Sequence, residues 1–182
     1  MTRLILASAS TSRRRLLESA GLKPEIMVSH VDEETDFFNA MSPADMVIAL
    51  AITKAHTVRE QISGDAVIIA CDSTFEFDGV SLGKPGTPEI ATERASRVRG
   101  NSGLLHTGHC IIDTSKDREI SDRVTTKVTF SDMTDLEISD YVSTGEPLHV
   151  AGGFTLDGFS SQFIPSIEGD YTTVVGISMP FL

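Results

Sequence analysis

Serines and arginines cluster at residues 8–15, directly after a short apolar run at residues 4–6. The apolar run predicts a strand, and the leucines after the arginines predict an amphipathic helix over about residues 12–20. A turn from a strand into a helix presents backbone N–H groups and the positive end of the helix dipole, which attract anions. We interpret this turn as a cradle for a polyphosphate group. The alternative is a basic face that contacts only solvent.

The candidate members of this cradle are Ser8, Ser10, Arg13 and Arg14. Successive helix residues point about 100° apart, so at most two of the three adjacent arginines can face one ligand. Arg13 lies nearest the turn and is the first choice. Arg14 is the second, and Arg15 is expected to face solvent.

A further cation, Lys54, falls on the inward apolar stripe of a second predicted helix. Ser42 is a good N-cap for this helix and Pro43 suits its first position. A lysine on such a stripe either extends its ammonium group to the helix edge or points into a site. Beside a phosphate cradle we favour the site.

An aspartate, Asp72, follows the apolar run at residues 66–71, which predicts a central strand buried on both faces. Ligands in open α/β sheets bind at the carboxyl ends of strands, where a carboxylate can hold a metal or act as a base. The alternative is a turn or capping residue. A hairpin with an Asp78-Gly79 turn follows, and it is expected to return Lys84 to the neighbourhood of Asp72.

Four carboxylates at residues 32–36, including Glu33, form either an acidic surface loop or part of a site for a divalent cation. The remaining patterns predict a helix, two long strands, a capped helix and a last strand at residues 89–99, 104–113, 119–130, 134–143 and 172–177. Strands and helices that alternate in this way, with inserted hairpins, predict an α/β fold with a mixed sheet.

The composition, 182 residues with 40% hydrophobic residues, is typical of one domain or of two small lobes with a shared core. A net charge of −11 argues against broad binding to nucleic acid or anionic membranes. Cys71 and Cys110 lack a paired spacing and are expected to be reduced core residues of a cytoplasmic protein. The aliphatic run near the N-terminus is too short for a signal peptide or a membrane span.

Taken in order, the motifs resemble those of the Maf-type nucleoside triphosphate pyrophosphatases, the septum formation inhibitor Maf-like proteins. The resemblance covers nearly the whole chain. It rests on Leu-Ala-Ser-x-Ser-x-x-Arg at 6–13, Asp-Glu at 32–33, Leu-Ala-x-x-Lys-Ala at 50–55, Asp72, Gly-Lys-Pro at 83–85, Thr-Gly at 107–108, Thr-Gly-Glu-Pro at 144–147, Ala-Gly at 151–152, Ile-Glu-Gly at 167–169 and Val-Gly at 175–176.

This resemblance implies a single domain over residues 1–182 with a curved mixed sheet flanked by helices and two lobes with a cleft between them, similar to inosine triphosphatases. It implies hydrolysis of modified or non-standard nucleoside triphosphates between the α and β phosphates, with Mg²⁺ or Mn²⁺. It also implies a role in arrest of cell division. No binding to nucleic acid polymers or membranes is expected, and a homodimer is allowed.

Carried over by position, the resemblance implies that Asp72 is the proton acceptor and that Asp72 and Glu33 bind the metal. The triphosphate would be bound by hydroxyl and cationic side chains: Ser8, Ser10, Arg13, Arg14, Lys54 and Lys84. Of these residues, Lys54 and Lys84 would also be catalytic. Three positions depart from the family pattern, which has proline at Thr11, alanine at Cys71 and histidine at Gly103.

The residue that reads the base is expected at Asp157. One branch of the family has glutamine there and favours pyrimidine triphosphates such as dTTP and UTP, and the other has glutamate and favours 7-methyl-GTP. A carboxylate suits the second branch, but residues 173–176 look more like the first, so both substrates stay open. The competing hypothesis is a nucleotide-binding regulator of septum formation without catalysis. A haloacid-dehalogenase phosphatase is disfavoured because Thr74 stands where its second aspartate is needed.

Overall fold

The computed structural model describes residues 2–182. Its seven strands are β1 to β7 in chain order: Arg3–Leu6, Glu25–Ile26, Ala66–Phe77, Val80–Leu82, Ser102–Asp113, Arg118–Thr129 and Ser166–Glu168. They form a sheet of order β2-β1-β3-β5-β6-β7, and β4 pairs with β3. Strand β1 is parallel to β2 and to β3, whereas β3 is antiparallel to β4 and β6 is antiparallel to β7. The sheet is therefore mixed, which confirms the predicted fold class.

Within residues 2–182, six α-helices, α1 to α6, accompany these strands: Thr11–Ser19, Asp36–Asn39, Pro43–Gln61, Pro88–Val98, Asp135–Ser143 and Tyr171–Val175. Three short 3-10 segments lie at Glu146–His149, Ala151–Gly153 and Phe159–Phe163. The predicted caps are present, because Ser42 accepts the Asp45 N–H at α3 and a capping box joins Thr134 and Glu137 at α5.

The chain divides into two compact units. Unit 1 comprises residues up to 72, 107–124 and 176–182, and unit 2 comprises residues 73–106 and 125–175. The expectation of one functional domain with a cleft stays a prediction.

In unit 1, helix α3 packs on the sheet through small side chains. Ala51 and Ala55 are fully buried in one cluster with Ile5 of β1 and Ile68 of β3. Gly108 of β5 lies so close to α3 that a Cβ atom built there would stand 2.2 Å from the backbone oxygen of Val47. Small residues at these points bring the α3 backbone close to the sheet and so set the depth of Lys54, which projects from the same helix.

In unit 2, three phenylalanines form the centre of the core. The rings of Phe75, Phe130 and Phe154 pack edge to face, with centroids 5.0–5.7 Å apart. A Cβ atom at Gly103 would lie 2.3 Å from Phe75 Cζ. A side chain at position 103 would therefore collide with the Phe75 ring.

Two elements differ from the prediction. Asp72 lies inside a continuous β3 rather than at a strand end, because the residues that follow it keep the extended conformation up to the Asp78-Gly79 turn. Both turn residues have positive φ, 51° and 76°, as a tight hairpin requires. The prediction that Asp72 lies at a strand end was therefore wrong. Its side chain is buried and pairs with Lys54.

The predicted last strand at 172–177 is also wrong, because α6 occupies most of that segment. The Asp170 carboxylate accepts the Thr172 N–H at 2.8 Å and the Thr173 hydroxyl at 2.9 Å. These local hydrogen bonds start a helix in spite of the high strand propensity of threonine and valine. The strand β7, just before α6, was not predicted.

Replacing Gly108 with alanine should lower the free energy of unfolding by about 3 kcal/mol, because the new methyl group meets the α3 backbone and not a movable side chain. Urea denaturation measures the change. Gly83→Ala is the matched control, since a Cβ atom there has open space within 4 Å, and it should change stability by no more than about 0.5 kcal/mol. Equal effects of the two variants would contradict the close approach of α3.

Candidate functional site

The turn between β1 and α1 is built by its own serines. Ser10 is the N-cap of α1, and its hydroxyl oxygen accepts the Arg13 N–H at 3.3 Å. The Ser10 N–H in turn donates to Ser8 Oγ at 3.2 Å. The two hydroxyl groups of the predicted cradle therefore shape the turn from which Arg13 projects.

Arg13 joins three segments of unit 1. Its Nε donates to the backbone oxygen of Gly176 at 2.7 Å, and its Nη1 donates to the backbone oxygen of Cys71 at 2.8 Å and to Ser8 Oγ at 3.2 Å. These three acceptors are neutral oxygens, and they orient the guanidinium group. Arg13 is thus fixed beside the backbone that leads directly to Asp72.

Arg14 is placed differently. Its Nε pairs with Glu18 Oε1 at 2.7 Å, one helical turn away, and more than half of its side chain is exposed. The guanidinium groups of Arg13 and Arg14 thus have different partners, and the predicted contact of Arg14 with substrate stays a prediction.

Lys54 is the centre of the site in unit 1. Its Nζ lies 2.6 Å from Asp72 Oδ1 and 2.6 Å from Glu33 Oε1. Lys54 is only 7% exposed and Asp72 only 8%, whereas about half of the Glu33 side chain is exposed. Lysine and aspartate are almost never buried to this extent unless they are paired, and here one ammonium group neutralises one of two carboxylates. The structure thus brings the inward Lys54, Glu33 of the acidic loop and Asp72 together, and their catalytic and metal-binding roles stay predictions.

The two remaining predicted residues, Lys84 and Asp157, belong to unit 2 and are exposed. Lys84 follows β4 by two residues. Lys84 was predicted from the hairpin and the Gly-Lys-Pro motif, Asp157 from its position in the family pattern, and the roles of both stay predictions.

Glu146 holds the loop that carries Asp157, a function that sequence reasoning missed. Its carboxylate accepts the Thr155 hydroxyl at 2.8 Å, the Phe159 N–H at 2.8 Å and the Ser160 N–H at 3.3 Å. Burial alone would raise the pKa of Glu146, but these hydrogen bonds together hold the pKa below its ordinary value. Glu146 lies in the Thr-Gly-Glu-Pro motif, which was the available signal.

The cysteines are inert. Both are free and buried, as predicted for reduced core residues. Burial raises the pKa of the Cys71 thiol to about 11, against the opposing effect of the Arg13 charge, and burial raises that of Cys110 to about 12. Neither thiol provides a nucleophile at neutral pH.

The family described as "Maf-like protein" matches residues 3–182. The chain belongs to this family. It is 50% identical over 182 residues to a protein of Streptomyces coelicolor named "Nucleoside triphosphate pyrophosphatase". This similarity covers 99% of this chain and 87% of that protein. It is 46% identical over 179 residues to a protein of the same name from Prochlorococcus marinus, covering 98% of this chain and 95% of that protein.

A solved structure titled nucleoside-triphosphatase, or dITP/XTP pyrophosphatase, from Mycobacterium abscessus is 12% identical to this Maf-like chain. The similarity covers 72% of this chain and 74% of that one, with a TM-score of 0.39, which is too low to support a functional argument. Within residues 2–182 of the Maf-like chain, no helix combines the length and apolar character needed to cross a membrane.

The family implies a divalent cation, and the carboxylates of unit 1 fit one. Across residues 2–182 no three His, Cys, Asp or Glu side chains group to form a complete metal site. Mg²⁺, however, usually binds through one or two carboxylates together with substrate phosphates. Asp72 and Glu33, which converge on Lys54, provide two such carboxylates, and the oxygens of a triphosphate would complete the set.

Replacing Lys54 with methionine should lower the free energy of unfolding by about 3 kcal/mol, because it leaves the buried Asp72 carboxylate without its cation. Chemical denaturation measures the loss, and Lys54→Met combined with Asp72→Asn should recover part of it. As a matched control, Arg14→Met breaks only an exposed pair with Glu18 and should cost no more than about 0.5 kcal/mol. A Lys54 variant as stable as the Arg14 control would contradict the buried ion pair.

Proposed function

We propose that this chain hydrolyses nucleoside triphosphates to a nucleoside monophosphate and pyrophosphate. The observation that carries the proposal is the Lys54 ammonium group, buried within 2.6 Å of both Asp72 and Glu33. Membership of the Maf-like family and the names of its relatives support it. The serines and arginines of the turn between β1 and α1, which suit a polyphosphate ligand, support the same reaction class.

The reaction needs a base, because water is a poor nucleophile towards a phosphoanhydride. In the proposed step, Asp72 accepts a proton from water while the water oxygen bonds to the attacked phosphorus. The bond between the attacked α-phosphorus and the oxygen that bridges it to the β-phosphorus then breaks, and pyrophosphate leaves. Lys54 holds the Asp72 carboxylate in position and would stabilise negative charge on the phosphates.

A triphosphate carries about four negative charges, so several positive groups must meet it. We assign this role to Arg13 and Lys54 in unit 1 and to Lys84 in unit 2, with Ser8 and Ser10 forming the turn beside Arg13. Asp72 and Glu33 would hold Mg²⁺ or Mn²⁺, which supplies positive charge at the attacked phosphorus when bound.

The substrates are proposed to be modified or non-standard nucleotides, of the pyrimidine or the 7-methyl-GTP type. Asp157 is the proposed reader of the base. Its loop is anchored on both sides by Glu146, which supports a defined position for an otherwise exposed side chain. A homodimer and a role in cell division stay predictions from the family resemblance.

The competing function, a nucleotide-binding regulator of septum formation without catalysis, would need the phosphate-binding cations but no base. A carboxylate buried against a lysine is costly to maintain and weak evidence for stability alone. The buried Asp72 therefore favours catalysis over binding alone.

Replacing Asp72 with asparagine should lower kcat for pyrophosphate release by roughly 10²- to 10⁴-fold, because the amide cannot accept the proton. Nucleotide binding should largely survive. Initial rates with Mg²⁺ or Mn²⁺ and binding by calorimetry measure the two effects. Asp65→Asn, in an exposed turn before β3, is the matched control and should keep full activity. Full activity in the Asp72 variant would refute its assignment as the base.

Replacing Asp157 with glutamine should weaken any preference for 7-methyl-GTP over dTTP, UTP and CTP, because the amide loses the charge that favours a methylated, cationic purine. The ratio of kcat/KM values across these four nucleotides is the measurement. Glu146→Gln, which disturbs the anchor of the same loop, should change the same ratio. A substrate profile that neither substitution alters would rule out this loop as the reader of the base.

A further inference from the structure

His109 of β5 is fully buried in unit 1, and its ring nitrogen Nε2 accepts the backbone N–H of Ser178 at 2.8 Å. The imidazole ring also packs on the ring of Phe181, with centroids 4.8 Å apart. These two contacts attach the C-terminal segment, residues 176–182, to the sheet. Because Nε2 accepts a hydrogen bond, this nitrogen carries no proton.

The anchored segment meets the predicted phosphate cradle. Two residues before Ser178, the backbone oxygen of Gly176 accepts the Arg13 Nε–H at 2.7 Å. Gly176 has a φ of 130°, and a Cβ atom there would lie 3.2 Å from Arg13 Nε. Glycine is therefore needed for both the backbone conformation and the close approach of the guanidinium group.

The same guanidinium group also contacts the residue that precedes Asp72. Arg13 Nη1 donates to the backbone oxygen of Cys71, the residue immediately before Asp72. A continuous series of contacts thus runs from His109 through Ser178 and Gly176 to Arg13, and then to the backbone that carries the proposed base. Each link is a hydrogen bond of 2.7–2.8 Å or a step along two residues of backbone.

We propose that His109 is a positioning residue for the hydrolytic reaction: it fixes the C-terminal segment so that Gly176 holds Arg13 in its orientation towards the triphosphate. This proposal rests on the proposed function. Ser178 is 2% exposed, so loss of the His109 acceptor would leave a buried N–H without a partner, which is costly. The segment would then shift towards solvent, and Gly176 would release Arg13.

His109 does not belong to any motif from which the resemblance was recognised, and its partner lies 69 residues away in the chain. Its role follows only from the contacts in unit 1. Gly176, in contrast, lies in the Val-Gly motif, and the contact with Arg13 gives that motif a physical reason.

The test compares His109→Phe, which keeps a ring but removes the acceptor, with His109→Gln, whose amide oxygen can replace Nε2. Steady-state rates of pyrophosphate release should show kcat/KM lower by roughly 10- to 100-fold in the Phe variant, mainly through a higher KM, with recovery in the Gln variant. If the Phe variant does not fold, His109→Asn replaces it, since its shorter amide cannot reach Ser178.

A double-mutant cycle separates positioning from a purely structural effect. In an Arg13→Lys background the effect of His109→Phe on kcat/KM should largely disappear, because lysine has no Nε–H for Gly176 to hold. NMR provides a readout without activity. The Arg13 Nε–H signal should be protected from exchange in the wild-type protein and in the Gln variant, and should exchange rapidly in the Phe variant.

Unchanged kcat/KM in the Phe variant, with pyrophosphate release by the wild-type protein intact, would overturn the proposal and leave the proposed function standing. An equal loss in both Arg13 backgrounds would also overturn it, because His109 would then act through overall stability. If the wild-type protein released no pyrophosphate, the proposed function would fail. Separately, equal exchange of the Arg13 Nε–H in the wild-type protein and the Phe variant would refute the link from His109 to Arg13.

Discussion

The site depends on the burial of one ammonium ion between two carboxylates. Removing Lys54 and Asp72 from water costs several kcal/mol for each ion, and the contacts of 2.6 Å among Lys54, Asp72 and Glu33 offset this cost. The geometry must therefore be held closely by the backbone. In unit 1 this is achieved by alanines on α3 and by Gly108, which bring the helix that carries Lys54 close to the strands.

The same ion arrangement explains how carboxylates can act on an anionic substrate. One lysine and two carboxylates leave a net charge of about −1, which attracts a divalent cation but repels a bare triphosphate. In the proposed reaction, a triphosphate that carries Mg²⁺ or Mn²⁺ would avoid this repulsion. Arg13 complements it, because Ser8, Cys71 and Gly176 orient its guanidinium group through neutral oxygens.

Local patterns in the sequence were sufficient to predict the mixed α/β fold, the capped helices and the inward position of Lys54. Helical spacing is a local property, and a lysine on an apolar stripe is visible without a structure. The helix at 171–175 was missed because the Asp170 side chain outweighs the strand propensity of the residues after it. Asp72 was placed at a strand end because the polar Asp72 and Ser73 separate the apolar run at 66–71 from the predicted hairpin strand at 74–77, whereas β3 continues through all of these residues.

Contacts between distant segments could not be predicted. The hydrogen bonds from Arg13 to Gly176 and from Ser178 to His109 span 163 and 69 residues, and neither has a local signature. The Glu146 anchor spans 9–14 residues and was visible only as an unexplained motif. For Arg13, Gly176 and Glu146 the motifs indicated that a position mattered, while the folded chain was needed to give the physical reason. His109 and Ser178 lie in no motif.

The central claim is that the Lys54–Asp72–Glu33 group serves hydrolysis at the α–β phosphoanhydride. Phosphorus-31 NMR of the wild-type protein with a nucleoside triphosphate and Mg²⁺ tests this claim most directly, because it resolves every phosphorus-containing product in one spectrum. The account predicts signals of nucleoside monophosphate and pyrophosphate in equal amounts. Nucleoside diphosphate with orthophosphate would instead show cleavage at the β–γ linkage and would contradict it.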